Sequence, residues 1–331
     1  TIMKQILEKL CDKQDLNQSE INDFFSKLMT AEIDPIMASS ILIALKIKKP
    51  TPDEIFYASE YLLSSIELRK DEIKLLDLCG TGGDSKSIIN VSTISSLILS
   101  CMNVSIAKHG NRSVSSKVGS ADLFESIGFE FDTDIFSALE SIKNKNISFL
   151  FAPNFHKSMK NVAQIRKSLS TRTIFNILGP LINPLRPQHQ LLGVYDYDLL
   201  QIIGDVLKKQ GLKSAMVVHS FDGMDEISIC NKTHIFEIGE FGEKSYVLDP
   251  EEYGFALGNL ENLVIDSVED SKNILYGIAD GSIRDEKRDI CILNAGAAYY
   301  LYNGEITLEE SFDKIRNILE SGKVFEKLKN M

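Results

Sequence analysis

The sequence predicts a small all-helical domain followed by a larger α/β domain with a mostly parallel central sheet flanked by helices. Three observations carry this. The first 70 residues show only helical apolar periodicity and no convincing strand. From Ile73 onward, short apolar runs alternate with helical patterns, as in a sheet built from strand–helix units. After Asp225 the apolar runs become short and closely spaced, as in antiparallel strands.

The elements follow in order. Ile6, Leu7 and Leu10 mark a first helix; Ile21, Phe24, Phe25 and Leu28 mark a second, with Ser19 as its expected cap. Pro35 opens a third helix running to about Lys48, since proline is tolerated in a first turn. Thr51-Pro52-Asp53-Glu54 starts a fourth, expected to end near Leu68. Ile6, Leu7 and Phe24 suit a core or an interface equally well. Lys70-Asp71-Glu72 is a polar hinge, which divides residues 1–70 from 71–331. Parallel strands are expected at 73–79, 104–108, 147–152, 190–194 and 214–218, with helices starting near Asn90 and spanning Leu123 to Ile127. Antiparallel strands are expected at 227–230, 234–238 and 244–248, then helices at 269–279, 287–302 and 307–321.

Composition narrows the function. The chain is 44% hydrophobic and 25% charged with a net charge of −11, which argues against a general nucleic-acid or membrane-surface binder. Five scattered cysteines form no Cys-x-x-Cys pair, so neither a zinc site nor a disulfide framework is indicated. There is no signal peptide and no apolar run of membrane length, and the expected location is the cytoplasm.

Two stretches carry the chemistry. The first strand ends in the glycine-rich turn Gly80–Asp84, and the next helix starts near Asn90 with Ser92 and Thr93 in its first turn. Glycine lets backbone approach a ligand closely, and free N–H groups at a helix start attract anions. The turn is neither a Walker loop nor a Gly-x-Gly-x-x-Gly fingerprint. The second stretch, Lys108-His109-Gly110-Asn111-Arg112 and Ser113 to Asp122, is a cationic loop dense in hydroxyls that leads into a helix. Three cations (Lys108, Arg112, Lys117) within ten residues of an acidic chain form a local pocket for an acidic ligand. Two such units fit a crevice at the carboxyl ends of the strands.

Gly80-Thr81-Gly82-Gly83-Asp84, Asn90-Val91-Ser92-Thr93, Lys108-His109-Gly110-Asn111-Arg112 and Gly119-Ser120-Ala121-Asp122 together resemble the anthranilate phosphoribosyltransferase family. Arg172 to Pro184 and the pair Asp225-Glu226 extend the resemblance, in order and spacing, over most of the chain. It implies transfer of a phosphoribosyl group from phosphoribosyl pyrophosphate (PRPP) to the amine of anthranilate, within tryptophan biosynthesis, by a homodimer. It also implies that helices from about 165–185 join the small domain. By this resemblance PRPP is held by Gly80, Gly83, Asp84, Ile88, Asn90, Val91, Ser92, Thr93, Lys108, His109, Gly110, Asn111, Arg112, Ser113, Val114, Ser115, Ser116 and Ser120. Anthranilate is met by Gly80, Asn111 and Arg166, the guanidinium suiting a carboxylate. Mg²⁺ is held by Ser92, Asp225 and Glu226 beside the pyrophosphate. His109 is the candidate general base, although a neutral aromatic amine needs little activation. The sequence departs from the family pattern at Ser85, where glycine is usual, and at Ile88, where threonine is usual. Ile88 is therefore carried over only as a backbone contact. The rivals are a pyrimidine nucleoside phosphorylase and a noncatalytic nucleic-acid-binding paralogue. The glycine loop lacks the phosphorylase Lys-His pattern, and the acidic total disfavours the paralogue.

Overall fold

A computed structural model describes residues 1–113 and 118–331. The N-terminal part is a bundle of α1 (Ile2–Cys11), α2 (Gln18–Met29), α3 (Pro35–Lys48) and α4 (Pro52–Leu63). The cap of α2 is Asn17, not Ser19: Asn17 accepts from the Glu20 amide at 2.9 Å and Glu20 accepts from the Asn17 amide at 3.0 Å, a reciprocal capping box. Thr51 and Glu54 cap α4 in the same way. Glu54 is fully buried because it also accepts from the Leu16 amide at 2.9 Å and pairs with Lys48 at 2.5 Å. One carboxylate thus ties together the start of α4, the end of α3 and the segment before α2. Helix α4 stops at Leu63 rather than Leu68, where the chain becomes extended to reach the sheet and Arg69 donates to the Leu185 carbonyl at 2.8 Å. Ile6 and Phe24 are buried in the bundle core, and Leu7 is partly buried.

The second part is a seven-stranded sheet of β1 (Leu76–Gly80), β2 (Ile106–Gly110), β3 (Ile147–Phe151), β4 (His189–Gly193), β5 (Ser214–Ser220), β6 (Thr233–Gly239) and β7 (Gly242–Leu248), in the order β3-β2-β1-β4-β5-β6-β7. β1 to β5 are parallel, while β6 and β7 are antiparallel. β1 begins at Leu76 rather than Ile73 because the Gln188 side chain takes the backbone before it, accepting from Leu75 N at 2.8 Å and donating to Ile73 O at 3.2 Å. Residues 227–230 are not a strand. The buried Asn294 side chain exchanges both hydrogen bonds with the Ile227 backbone (3.0 and 2.9 Å), and Ser228 and Cys230 bond to side chains instead of a ladder.

The remaining helices are α5 (Val91–Ser100), α6 (Ser120–Ser126), α7 (Ile135–Lys145), α8 (Ala152–Phe155), α9 (Ala163–Leu169), α10 (Phe175–Leu178), α11 (Leu199–Lys209), α12 (Val268–Asp280), α13 (Glu286–Asn303), α14 (Leu308–Glu320) and α15 (Lys323–Lys329), of which α5, α7, α11 and α13 pack directly on the strands. Alternate strand residues face two different cores. Leu78, Ile106, Phe149 and Met216 pack against Ile94 and Ile98 of α5 and Leu293 of α13. Cys79, Leu192 and Val217 face the other way, into a cluster shared with α11 and with Phe25 and Leu42 of the bundle. The segment from residue 157 to 178 belongs to that second cluster. Phe25 and Phe175 rings lie 5.7 Å apart, and Asn161 donates to the Met29 carbonyl at 2.6 Å. An aromatic pair of this kind adds about 0.5–1.5 kcal/mol beyond its buried area.

Candidate active site

β1 and β4 are neighbours, yet the chain leaves β1 toward β2 and leaves β4 toward β5. Between their carboxyl ends lies the switch point where open α/β sheets bind ligands. Gly80 and Gly193 end these strands in register. The turn after β5 folds over both. A Cβ on Gly193 would sit 1.6 Å from the Asp225 carbonyl oxygen, and one on Gly80 would sit 2.4 Å from Asp225 Oδ2. Only glycine admits this approach. Gly82 N then donates to Asp225 Oδ2 at 2.8 Å, and Asp225 N donates to Asp84 Oδ2 at 3.3 Å. Ser85 takes a φ of +63°, the left-handed conformation that costs a non-glycine residue roughly 1–2 kcal/mol.

Three carboxylates therefore crowd one spot. Burial first, then the charge of Asp84, holds Asp225 up to about 7, against the Gly82 amide. Burial first, then Asp225 and Asp84, pushes Glu226 well above the usual carboxylate range, with Lys108 opposing. Both side chains keep some surface exposure, so they can meet a ligand. A dication would relieve this repulsion, and oxygen donors suit Mg²⁺. Among the described residues no group of three or more His, Cys, Asp or Glu side chains is arranged to hold a metal ion by itself. The acids fit a magnesium ion whose other ligands are water and phosphate.

The helix start beyond the loop is only partly free. Val91 N donates to the Ile89 carbonyl at 2.9 Å, so of the expected amide donors Val91 is already engaged. Ser92 and Thr93, in the first turn of α5, keep amides without an intrahelical partner. Asn90 makes no side-chain cap; it donates to the Val118 carbonyl at 3.0 Å and accepts from Ser271 at 2.6 Å, joining the first loop to the second. Ile88 bridges Val264 through the bonds of its neighbours, Ile89 N to Leu263 O and Ile265 N to Ser87 O. Its own N–H consequently points away from that bridge.

In the second loop, Lys108 is buried, with Nζ donating to the His109 carbonyl at 3.2 Å. Its charge partly offsets the burial that raises Asp77 to about 6, an acid also held by Asn183 at 2.9 Å. His109 is buried with Nε2 unpartnered among the described residues. Burial first, then His156 and Lys108, pushes it down to about 3. The His109 and His156 rings meet edge-on at 5.7 Å. A Cβ on Gly110 would meet Ser120 Oγ at 2.1 Å, and Ser120 donates to the Asn111 carbonyl at 3.3 Å. Asn111 side-chain oxygen accepts from Arg112 N at 2.8 Å. Arg112 itself pairs with Asp122 (2.9 Å) and Glu125 (2.7 Å), so its guanidinium is engaged by two acids of α6. Ser113 lies at the edge of the described loop, and Val114, Ser115, Ser116 and Lys117 lie outside the described residues.

Arg166 stands on α9, half-buried, its guanidinium 5.6 Å from the centre of the Phe175 ring. Burial lowers its pKa, and among the described residues no carboxylate pairs with it. A partly desolvated guanidinium without an acid is a seat for an anionic ligand.

Two family models match the chain. One described as "Glycosyl transferase family, a/b domain" matches residues 72–325, and one described as "Glycosyl transferase family, helical bundle domain" matches residues 4–66. The anthranilate phosphoribosyltransferase of Lacticaseibacillus casei strain BL23 is 38% identical over 330 residues, spanning 100% of this chain and 96% of that protein. That of Thermoanaerobacter sp. strain X514 is 38% identical over 328 residues, 99% of this chain and 97% of its own length. The chain belongs to the anthranilate phosphoribosyltransferase family. The crystal structure of the Thermus thermophilus member superposes with a TM-score of 0.90 at 32% identity, over 98% of this chain and 97% of that one. The Saccharomyces cerevisiae member, solved in complex with PRPP and Mg, superposes with a TM-score of 0.89 at 25% identity, over 99% of this chain and 96% of that one.

Within this family framework, the glycine loop, the acidic turn and Lys108 meet at the carboxyl ends of the central strands, with two residues that motif reading left without a role. Asn294 on α13 anchors the backbone directly after Glu226. Asp77, buried under the crevice floor beside Lys108, balances that lysine's charge. A polar residue inside the otherwise apolar pattern of a strand or helix was the available signal for both.

Proposed function

We propose that this chain transfers the 5-phosphoribosyl group from PRPP to the amine of anthranilate, releasing pyrophosphate and N-(5-phosphoribosyl)anthranilate. The observation that carries this is the junction of the glycine loop and the Asp225-Glu226 turn at the β1/β4 switch point, together with a half-buried Arg166 that has no acid partner among the described residues. The PRPP complex of the yeast relative supports the same reading.

In this reading the loop amides of Gly83 and Asp84, the free amides and hydroxyls of Ser92 and Thr93, and Lys108 receive the phosphates. The backbone of Ile88 and Asn111, together with Gly110, Ser113 and Ser120, shapes the seat. Asp225 and Glu226, with Ser92, would hold Mg²⁺, which when bound neutralises charge on the leaving pyrophosphate. Arg166 pairs with the anthranilate carboxylate, with Asn111 and Gly80 beside it. His109, neutral because of its burial, presents an unpartnered nitrogen to the acceptor side. The anthranilate amine already carries its lone pair, so alignment and electrostatics supply most of the rate.

The chain is read as two units, residues 1–70 joined by helices from about 165–185, and 71–331. An exposed apolar stripe on α3, with Ile36 78% and Ile47 70% exposed and Ile43 between them, favours a homodimer formed through the bundle. A monomer by light scattering at micromolar concentration would overturn that assignment. The five free cysteines suit a reducing compartment, the cytoplasm, and the product suits tryptophan biosynthesis. No helix among the described residues is long and apolar enough to cross a membrane.

The test is the loss of anthranilate fluorescence. It should require both PRPP and Mg²⁺. Phosphorolysis of thymidine or uridine without anthranilate turnover would establish the phosphorylase instead. Retention on single-stranded nucleic acid with no turnover of either kind would establish the noncatalytic paralogue.

A further inference from the structure

Arg172 lies in the short segment between α9 and α10. Its neighbours are fastened to the helical bundle. Thr171 accepts from Lys46, near the end of α3, at 2.5 Å. Thr173 is buried; its hydroxyl accepts from Phe175 N at 3.2 Å, and its amide donates to Asn176 at 2.9 Å. Ile174 and Phe175 are buried in the bundle core. The Arg172 side chain alone among these crosses to the α/β domain.

There it meets the glycine loop at two points. Its Nη2 donates to the Gly83 carbonyl. Its guanidinium stacks on the Tyr195 ring, 3.9 Å from the ring centre. Tyr195 is itself joined to the loop, because its amide donates to Thr81 Oγ1 at 3.0 Å, and Thr81 N donates to the end of β4 at Gly193 O, 2.9 Å. A Cβ on Gly83 would lie 3.3 Å from Nη2, and Gly83 has a φ of +75°, so glycine is needed there for conformation and for space.

The geometry points to Arg172 as a positioning residue that orients the phosphate loop from the bundle side. In a trans peptide the C=O and the following N–H point in opposite directions. Holding the Gly83 carbonyl on the guanidinium therefore aims the Asp84 amide to the other side of the loop, as a donor. Without that hold, the peptide that follows the permissive Gly83 can turn over and offer a carbonyl oxygen to an anion. Arginine suits the task because a planar guanidinium stacks and donates at once, which an ammonium cannot do. Arg166 and Arg172 flank the same turn, so the segment that would seat the acceptor also sets the donor loop.

This inference rests on the loop being the PRPP seat. It is tested by calorimetric titration of the full chain with PRPP in Mg²⁺, alongside steady-state kinetics with each substrate varied. Arg172→Ala should weaken PRPP binding and raise its Michaelis constant by about tenfold, leaving that of anthranilate within about twofold. Arg172→Lys should not restore binding, and Tyr195→Leu should give a smaller loss in the same direction. Arg172→Ala with Tyr195→Leu should bind no more weakly than Arg172→Ala alone, since both remove one clasp. Unchanged PRPP binding in Arg172→Ala at the parent's melting temperature would overturn the proposal, as would equal losses for both substrates. If Arg172→Ala does not fold, unchanged PRPP binding in Tyr195→Leu overturns it. A parent chain that binds no PRPP fails the functional reading itself and takes this proposal with it.

Discussion

Gly82 donates its amide to Asp225 Oδ2 at 2.8 Å, across 143 residues of chain. The glycine loop and the acidic turn are therefore one surface. The same aspartate lies over Gly80 and Gly193, so its carboxylate is set by backbone packing from two adjacent strands.

That packing makes Gly193 sensitive. Gly193→Ala should displace the acidic turn and destabilise the fold by about 1–3 kcal/mol. Activity should fall further than stability, with weaker Mg²⁺ activation. Gly239→Ala, where a Cβ meets nothing within 4 Å, is the control. Thermal melts and Mg²⁺ titrations of both variants check this, and a Gly193→Ala enzyme with parental kinetics would refute it.

The acidic pair itself is expected to work through charge. Asp225→Asn with Glu226→Gln should reduce turnover and blunt the response to Mg²⁺. The fold should persist, because removing charge from crowded carboxylates relieves repulsion. A double variant with the parent's turnover and Mg²⁺ dependence contradicts the assignment.

Arg166 and Lys108 should separate the two substrates. Arg166→Ala should raise the Michaelis constant for anthranilate, and Lys108→Ala that for PRPP. Each loss is worth about 1.5–3 kcal/mol, or roughly one to two decades. Equal effects of Arg166→Ala on both substrates, in a protein that melts normally, would remove it from the acceptor side.

Acid stability should report His109. Its folded pKa of about 3 lies below the ordinary value of 6.5, so the folded state binds fewer protons between these limits. Its contribution to stability is complete above about pH 6.5 and is lost as pH falls toward 3. Asp77, raised to about 6, acts in the opposite sense: its contribution is complete below about 4 and is lost as pH rises through 6. Denaturant unfolding from pH 4.5 to 7 should show a flatter rise of stability with pH in His109→Gln than in the parent. An unchanged slope would mean that His109 protonates in the folded protein.

Much of this was readable in the sequence because it is local. The helical period of the first 70 residues, the capping box at Thr51–Glu54 and the glycine turn at the end of β1 each depend on residues a few positions apart. Local reading failed where a side chain from elsewhere took over a backbone group. Gln188 delays β1, and Asn294 replaces a ladder at residues 227–230. Asn17 caps α2 two residues before the expected Ser19, because Glu20 stands at the third helical position from Asn17 and closes the box.

The acidic pair was singled out only by the family resemblance; by itself, the amino-acid order determined the fold class and marked the two loops proposed to bind anions. Those features follow from periodicity, backbone freedom and side-chain chemistry within short windows. Only the tertiary structure decided the partners. It paired Arg112 with Asp122 and Glu125, engaged the Val91 amide with Ile89, left Arg166 without an acid and carried Arg172 across to Gly83. Which charges pair and which stay available for a ligand depends on which elements pack together. That is set by burial summed over the whole chain, which no short window contains.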